Sequence, residues 1–253
     1  MMTTETAAQT TATMVFRRYE KKYMLNKKQY NVLISEIRKH AHDDEFGKTI
    51  SQNLYLDTEN YELIQTSLEK PLYKEKLRLR SYGVPKSKDS PVFLELKKKY
   101  NGVVYKRRAE LTLQEADRYL YHGIYPKDRD CQILRELSFS LQKYRPVPKA
   151  YLSYERFSLI DNDDPELRIT FDRDLTCRDY DLRLEKGSYG DKILDEDYYL
   201  MEIKTINSIP LWLTKALSET GAFPTTYSKY GTYYANCLTE QKTVFNKGGV
   251  CYA

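Results

Sequence analysis

Several short segments of the chain carry charged residues on alternating positions with apolar or aromatic residues between them: Arg18-Tyr19-Glu20-Lys21-Lys22-Tyr23, Lys74-Glu75-Lys76-Leu77-Arg78-Leu79-Arg80, Glu95-Leu96-Lys97, Leu167-Arg168-Ile169 and Glu202-Ile203-Lys204. In an extended strand, residues at i and i+2 share a face, so each segment presents charge on one side and grease on the other. Arg and Lys dominate, so the natural ligand of such faces is a multiply charged anion. The pair Arg78 and Arg80 is suited to phosphate, whose oxygens a guanidinium fork grips bidentately. Glu followed two residues later by Lys recurs as Glu20/Lys22, Glu95/Lys97 and Glu202/Lys204. Carboxylates amid cations are what a divalent ion on a polyphosphate requires: oxygen ligands for the ion and positive charge for the remaining phosphate. Two plainer readings stand beside this one. A lysine row also protects a solvated edge strand, and Glu/Lys pairs also form surface salt bridges.

The rest of the chain supplies elements to hold these faces. Strands are expected over 15–25, 49–56, 73–82, 92–100, 103–111, 149–160, 166–172 and 198–205. Asn101-Gly102 joins two of them in a tight hairpin, because both central residues accept positive φ. Asn26 is placed to cap a helix running to about His40, and a second short helix is expected over 61–70. Thr112-Leu113-Gln114-Glu115 reads as a capping box opening a helix to about His122. Further helices are expected over 129–144, over 210–220 with Pro near its first turn, and over the Tyr-rich stretch 225–238. Residues 175–196 are ambiguous. The acidic run Asp43-Asp44-Glu45 after His40-Ala41-His42 reads as a solvated turn at a helix end, and Cys177 and Trp212 as core residues. Glycine-rich phosphate loops within βαβ units are absent, which argues against Rossmann and P-loop sites, and no solenoid period is visible. Phosphate would have to be held by side chains.

At 253 residues the chain fits one large domain, and no linker divides it. The formal net charge is +5 although 30% of residues are charged, so the placement of charge says more than its sum. Cys131, Cys177, Cys237 and Cys251 form no CxxC pair, and with only His40, His42 and His122 they offer no zinc spacing; four reduced thiols are expected. Residues 1–14 are Thr/Ala-rich and lack the basic and apolar regions of a signal peptide, so a disordered leader is expected, with a patternless tail over 239–253. No run approaches the ~18 apolar residues of a membrane span, and the expectation is a soluble, cytoplasmic protein. The 24 tyrosines bridge apolar packing and hydrogen bonding rather than stacking on bases, and no nucleic-acid partner is expected.

Seven segments in order, Glu20-Lys21-Lys22-Tyr23, Lys76-Leu77-Arg78-Leu79-Arg80, Phe93-Leu94-Glu95-Leu96-Lys97, Tyr154-Glu155-Arg156-Phe157, Leu167-Arg168-Ile169-Thr170-Phe171-Asp172, Leu200-Met201-Glu202-Ile203-Lys204 and Ser228-Lys229-Tyr230, resemble those of VTC domains. These are the polyphosphate polymerase domains of the vacuolar transporter chaperone complex and their bacterial relatives, within the triphosphate tunnel metalloenzyme superfamily. The resemblance spans about residues 15–235, within a single domain expected over 15–238. It implies an α+β fold, an antiparallel β-barrel tunnel of about eight strands with a charged lumen and helices packed outside. It further implies that Lys22, Arg78, Arg80, Lys97, Arg156 and Arg168, with Glu202, form the catalytic set, and that Lys204 and Lys229 join those cations in binding substrate. Lys99, Lys106 and Arg108 are further tunnel residues on this view. Mn²⁺ or Mg²⁺ is the implied cofactor, with Glu202 as main ligand and Glu20 and Glu95 as helpers.

The implied chemistry is transfer of the γ-phosphoryl group of ATP to inorganic polyphosphate, releasing ADP. Two alternatives remain at this point: a tunnel-fold triphosphatase acting on tripolyphosphate or nucleoside triphosphates, and a polyphosphate-binding protein without turnover. The hydrolase branch opens on Glu-x-Glu-x-Lys, and the first position here is Arg18, which favours the polymerase. The eukaryotic complexes add an inositol-phosphate-sensing domain and membrane helices that have no counterpart in this sequence. No membrane-bound partner is therefore implied.

Overall fold

In the computed structural model, which describes residues 19–101 and 103–236, the alternating segments become neighbours in one antiparallel sheet. The strands are β1 (Tyr19–Asn26), β2 (Ala41–Asp57), β3 (Tyr73–Tyr82), β4 (Pro91–Tyr100), β5 (Val103–Thr112), β6 (Val147–Asp161), β7 (Arg168–Arg178), β8 (Asp191–Lys192), β9 (Tyr198–Thr205) and β10 (Pro224–Thr225). Between them lie the helices α1 (Lys27–Ile37), α2 (Glu62–Leu68), α3 (Leu113–His122), α4 (Gln132–Tyr144) and α5 (Leu211–Glu219), and a last helix, α6, occupies 229–236. The strand order is β10-β1-β9-β7-β6-β2-β3-β4-β5, with β8 added beside β7. The expected leader, the start of the first expected strand at 15–18, Cys237, Cys251 and the tail lie outside the described residues.

Period-two alternation decides which way each strand faces. Leu54, Leu56, Leu77, Leu79, Val92, Leu94, Leu96 and Leu111 turn outward and pack under α3 and α4. Tyr23, Leu25, Ile169, Phe171, Met201 and Ile203 do the same under α1 and α5. With helices covering the apolar side, the charged side is left to line the inside of the curl. The sheet is a curled, open one: among the described residues no backbone ladder joins β5 to β1 or β10. Side chains span that gap, with Lys97 on β4 lying 3.6 Å from Glu20 on β1.

Local signals account for much of this. Asn26 and Gln29 form a reciprocal capping box on α1, and Thr112 and Glu115 form one on α3. The β4–β5 hairpin pairs Tyr100 with Val103, and Asn101 takes the positive φ (44°) its turn requires.

Three expectations are corrected. The acidic run is no solvated turn: β2 begins at Ala41, and a bulge between Asp43 and Lys48 against β6 buries Asp44. Residues 224–225 pair with Lys22 and Tyr23 as β10, so the Tyr-rich helix begins later, at 229. The helix expected from Arg129 starts at Gln132, where Cys131 accepts from the Leu134 amide at 3.5 Å. Cys177 is buried as expected, and Trp212 packs at the edge of the α1–α5 core, stacked on His40. No helix of the described residues is long and apolar enough to cross a membrane.

Candidate active site

Strand register turns six separate motifs into one constellation. Glu202 on β9 stands opposite Lys22 on β1 and Thr170 on β7, while Arg78 on β3 stands opposite Glu95 on β4, which in turn faces Arg108 on β5. The curled sheet encloses a cavity of ≈ 490 Å³. Ten basic side chains and three acidic ones line it, with Tyr55, Tyr154, Tyr230 and Ser228 and no histidine or cysteine. α6 floors it: Tyr230 stacks on Tyr55 at 4.5 Å, and its hydroxyl donates to Asp57.

Each carboxylate is held differently. Glu202 receives Lys204 Nζ at 2.8 Å, Lys229 Nζ at 3.2 Å and Arg156 at 3.3 Å, with Lys22 Nζ at 3.6 Å. Burial opposes its charge, but Lys204, Lys229, Arg156 and Lys22 together hold its carboxyl well below the usual range. Asp172, fully buried on β7, accepts from Arg156 Nε and Nη2 at 2.6 and 2.7 Å and from Lys229 Nζ at 2.6 Å. Glu95 is saturated: Arg78 Nε reaches it at 2.7 Å, Arg108 Nε at 2.6 Å and Lys106 Nζ at 2.8 Å. Burial again opposes ionisation, and Arg78, Arg80, Lys106 and Arg108 outweigh it. Glu20 is the loosest, 3.6 Å from Lys22 and from Lys97.

The same field acts on the cations. Burial, then the repulsion of Arg108 and Arg78, lowers Lys106 to about 8 against the pull of Glu95. Burial of the Tyr154 phenol is overcome by Arg80, Arg156 and Lys229, and it is lowered to about 7. Arg80 donates to that hydroxyl at 3.0 Å and to Asn53 at 2.8 Å. Taking so many charges out of water costs several kcal/mol per ion before pairing repays it. The excess of cations over carboxylates is therefore poorly explained as a stabilising device and well explained as a receptacle for anions.

Of the residues expected from sequence, Lys22, Arg78, Arg80, Lys97, Arg156, Glu202, Lys204, Lys229, Glu20, Glu95 and Lys106 line the cavity. Arg168 does not: it faces inward in register with Lys204 but pairs with Asp44. Arg108 stands behind Glu95 and donates to Tyr82. Lys99 lies opposite Lys74, further along β4 than the lining residues. Sequence reasoning passed over Asp172, Tyr154, Lys76 and Ser228. The alternation Arg168-x-Thr170-x-Asp172 and Tyr154-x-Arg156 carried the signal for the first two.

A divalent ion fits part of the expected ligand set. Among the described residues no cluster of three or more His, Cys, Asp or Glu is preassembled for a metal, and Glu95, with both oxygens taken by cations, is a poor donor. Glu202 and Glu20 share Lys22 between them, and Mg²⁺ is commonly bound by one or two carboxylates together with substrate phosphates.

A family model described as the VTC domain matches residues 17–238. The chain belongs to the VTC domain family. No curated protein sequence matches it. Among solved structures, the VTC domain is similar to a candidate adenylate cyclase from Bacillus halodurans, with a TM-score of 0.51 and 16% identity over 85% of this chain and 94% of that one. It is also similar to a candidate adenylate cyclase from Vibrio parahaemolyticus, with a TM-score of 0.48 and 12% identity over 87% and 99%. At 16% identity the likeness to the Bacillus halodurans protein is one of fold alone.

Proposed function

We propose that this VTC domain is a polyphosphate polymerase that transfers the γ-phosphoryl group of ATP to the end of an inorganic polyphosphate chain and releases ADP. The observation that carries this reading is the cavity lining: cations from β1, β3, β4, β5, β6, β9 and α6 converge on one space. Phosphoryl transfer asks chiefly for positioning and charge neutralisation. Arg78, Arg80 and Arg156 are the forked donors for phosphate oxygens, and Lys22, Lys97, Lys204 and Lys229 supply the remaining charge. Glu202, with Glu20, would hold Mn²⁺ or Mg²⁺. Such an ion, when bound, neutralises charge between the outer phosphates. An oxygen of the chain's terminal phosphate attacks the γ-phosphorus, that P–O bond forms, and the bond from the γ-phosphorus to the bridging oxygen breaks with ADP leaving. The attacking oxygen is already anionic, so the step requires no protein base. Arg168, tied to Asp44 here, enters the substrate-binding set only if that pair opens.

The test is incubation of the protein with ATP and Mn²⁺, with and without a short polyphosphate primer, resolving ADP, free phosphate and long-chain polyphosphate. ADP together with long chains is expected. Free phosphate without chains would move the assignment to a triphosphatase, and no consumption of ATP with any metal would leave a binding protein.

A further inference from the structure

Lys76 stands apart from the other cations of the cavity. It faces inward from β3, two residues before Arg78, and lines the lumen. Most of its neighbours have an acidic partner: Lys22, Lys204 and Lys229 meet Glu202, Lys97 meets Glu20, and Arg78 and Lys106 meet Glu95. Arg80 is held by the oxygens of Asn53 and Tyr154. Among the described residues Lys76 has a single hydrogen-bond partner, the Ser228 hydroxyl at 3.2 Å. That hydroxyl also accepts from the Gly231 amide at 3.3 Å, capping the start of α6. The charged groups that act most strongly on Lys76 are cations: Lys22 on β1, Lys97 on β4, and Lys74 and Arg78 on its own strand.

We propose that Lys76 is a substrate-binding residue which, with the Ser228 hydroxyl, holds a phosphoryl group of a bound inorganic polyphosphate that the carboxylate-paired cations leave uncompensated. This rests on the reading of the cavity as a polyphosphate tunnel. An ammonium whose strongest charged influences are cations has most to gain from an entering anion, and with no carboxylate in salt-bridge contact among the described residues it need not break an ion pair to meet one. Its protonation follows the same logic. Burial, then Lys22, Lys97, Lys74 and Arg78, lowers Lys76 to about 7; an adjacent phosphate would raise it again. Binding therefore draws a proton onto Lys76 when the pH lies above the free value, and this part of the affinity is lost as pH rises from about 7 towards the bound value.

The experiment is calorimetric titration of the full chain with inorganic tripolyphosphate in EDTA, from pH 6.5 to 9, in buffers of different ionisation enthalpy. Wild type is compared with Lys76→Met and Lys76→Arg. Lys76→Met, which removes a repelled charge and keeps the length of the side chain, is expected to bind roughly tenfold or more weakly at pH 7. Lys76→Arg keeps a permanent charge, so it is expected to bind well and to take up about one proton fewer than wild type at pH 8 to 9. The difference between those two chains cancels the titration of the ligand, Lys106 and Tyr154. Equal affinity in Lys76→Met, or equal proton uptake in wild type and Lys76→Arg, overturns the proposal. Because no ATP turnover is involved, a failed polymerase assay beside a Lys76-dependent titration removes the reaction and keeps the subsite. Absence of tripolyphosphate binding to wild type removes both.

Discussion

At the scale of single residues, Glu202 and Glu95 are both surrounded by cations, and neutralising each has a different expected consequence. Glu202 is touched by four cations; Lys204 loses its nearest carboxylate if Glu202 is neutralised, while Arg156 and Lys229 keep Asp172 and Lys22 keeps Glu20. Glu202→Gln is expected to abolish ADP and chain formation while leaving tripolyphosphate affinity unchanged or tighter, and the two measurements together separate an ion-holding role from anion binding. Glu95 behaves in the opposite sense. Glu95→Gln leaves Arg78, Lys106 and Arg108 crowded without a counter-charge, and breaking a buried pair of this kind costs about 3–5 kcal/mol. A lowered melting temperature is expected, largely recovered on adding tripolyphosphate because the anion replaces the lost carboxylate. A melting temperature unmoved by the substitution would show that Glu95 contributes little to holding the three cations. Which charged residues share a face was readable from spacing alone, since it needs only the period of a strand. Which carboxylate meets which cation was not: Glu95 takes its partners from β3 and β5, and Asp172 takes Lys229 from a helix 57 residues away in sequence.

At the scale of elements, β3, β9 and the β4–β5 hairpin follow from alternation and one turn signal, whereas β2 and α6 depend on partners far along the chain. The acidic start of β2 carries no strand pattern of its own and is extended because β6 pairs with it. α6 is delivered to the lumen by the Pro224–Thr225 ladder on β1 and moored by Tyr230. The Asp57 carboxylate that receives this hydroxyl also accepts the amides of Thr58, Leu63 and Ile64 at the start of α2, so one buried acid fastens two helices. Tyr230→Phe removes one hydrogen bond from it and is expected to cost about 1 kcal/mol. Because the displaced element carries Lys229, tripolyphosphate affinity should fall in the same variant, as read by thermal denaturation and calorimetry side by side. A stability loss with affinity untouched would mean that α6 keeps its place without that bond.

For the whole molecule, the depressed carboxylates set the response to acid. Glu202, Asp172 and Glu95 have folded values below their unfolded ones. Their stabilisation is therefore complete above the unfolded value of about 4 and is lost as pH falls through the folded values. The melting temperature is expected to drop steeply below about pH 4, with a shallower drop in Glu95→Gln, and to rise with pH above about 7, where Lys76, Tyr154 and Lys106 hold fewer protons folded than unfolded. The pairing of β1 with β9 has a consequence for how the chain is made. Tyr23 meets Met201, so the ladder that carries Lys22 and Glu202 closes a loop of nearly the whole domain, and such non-local contacts form late and slowly. During synthesis β1 waits as an unpaired edge until β9 emerges. A nascent chain that has not yet reached α6 lacks Lys229, so the lumen acquires its full charge only when the last helix is in place.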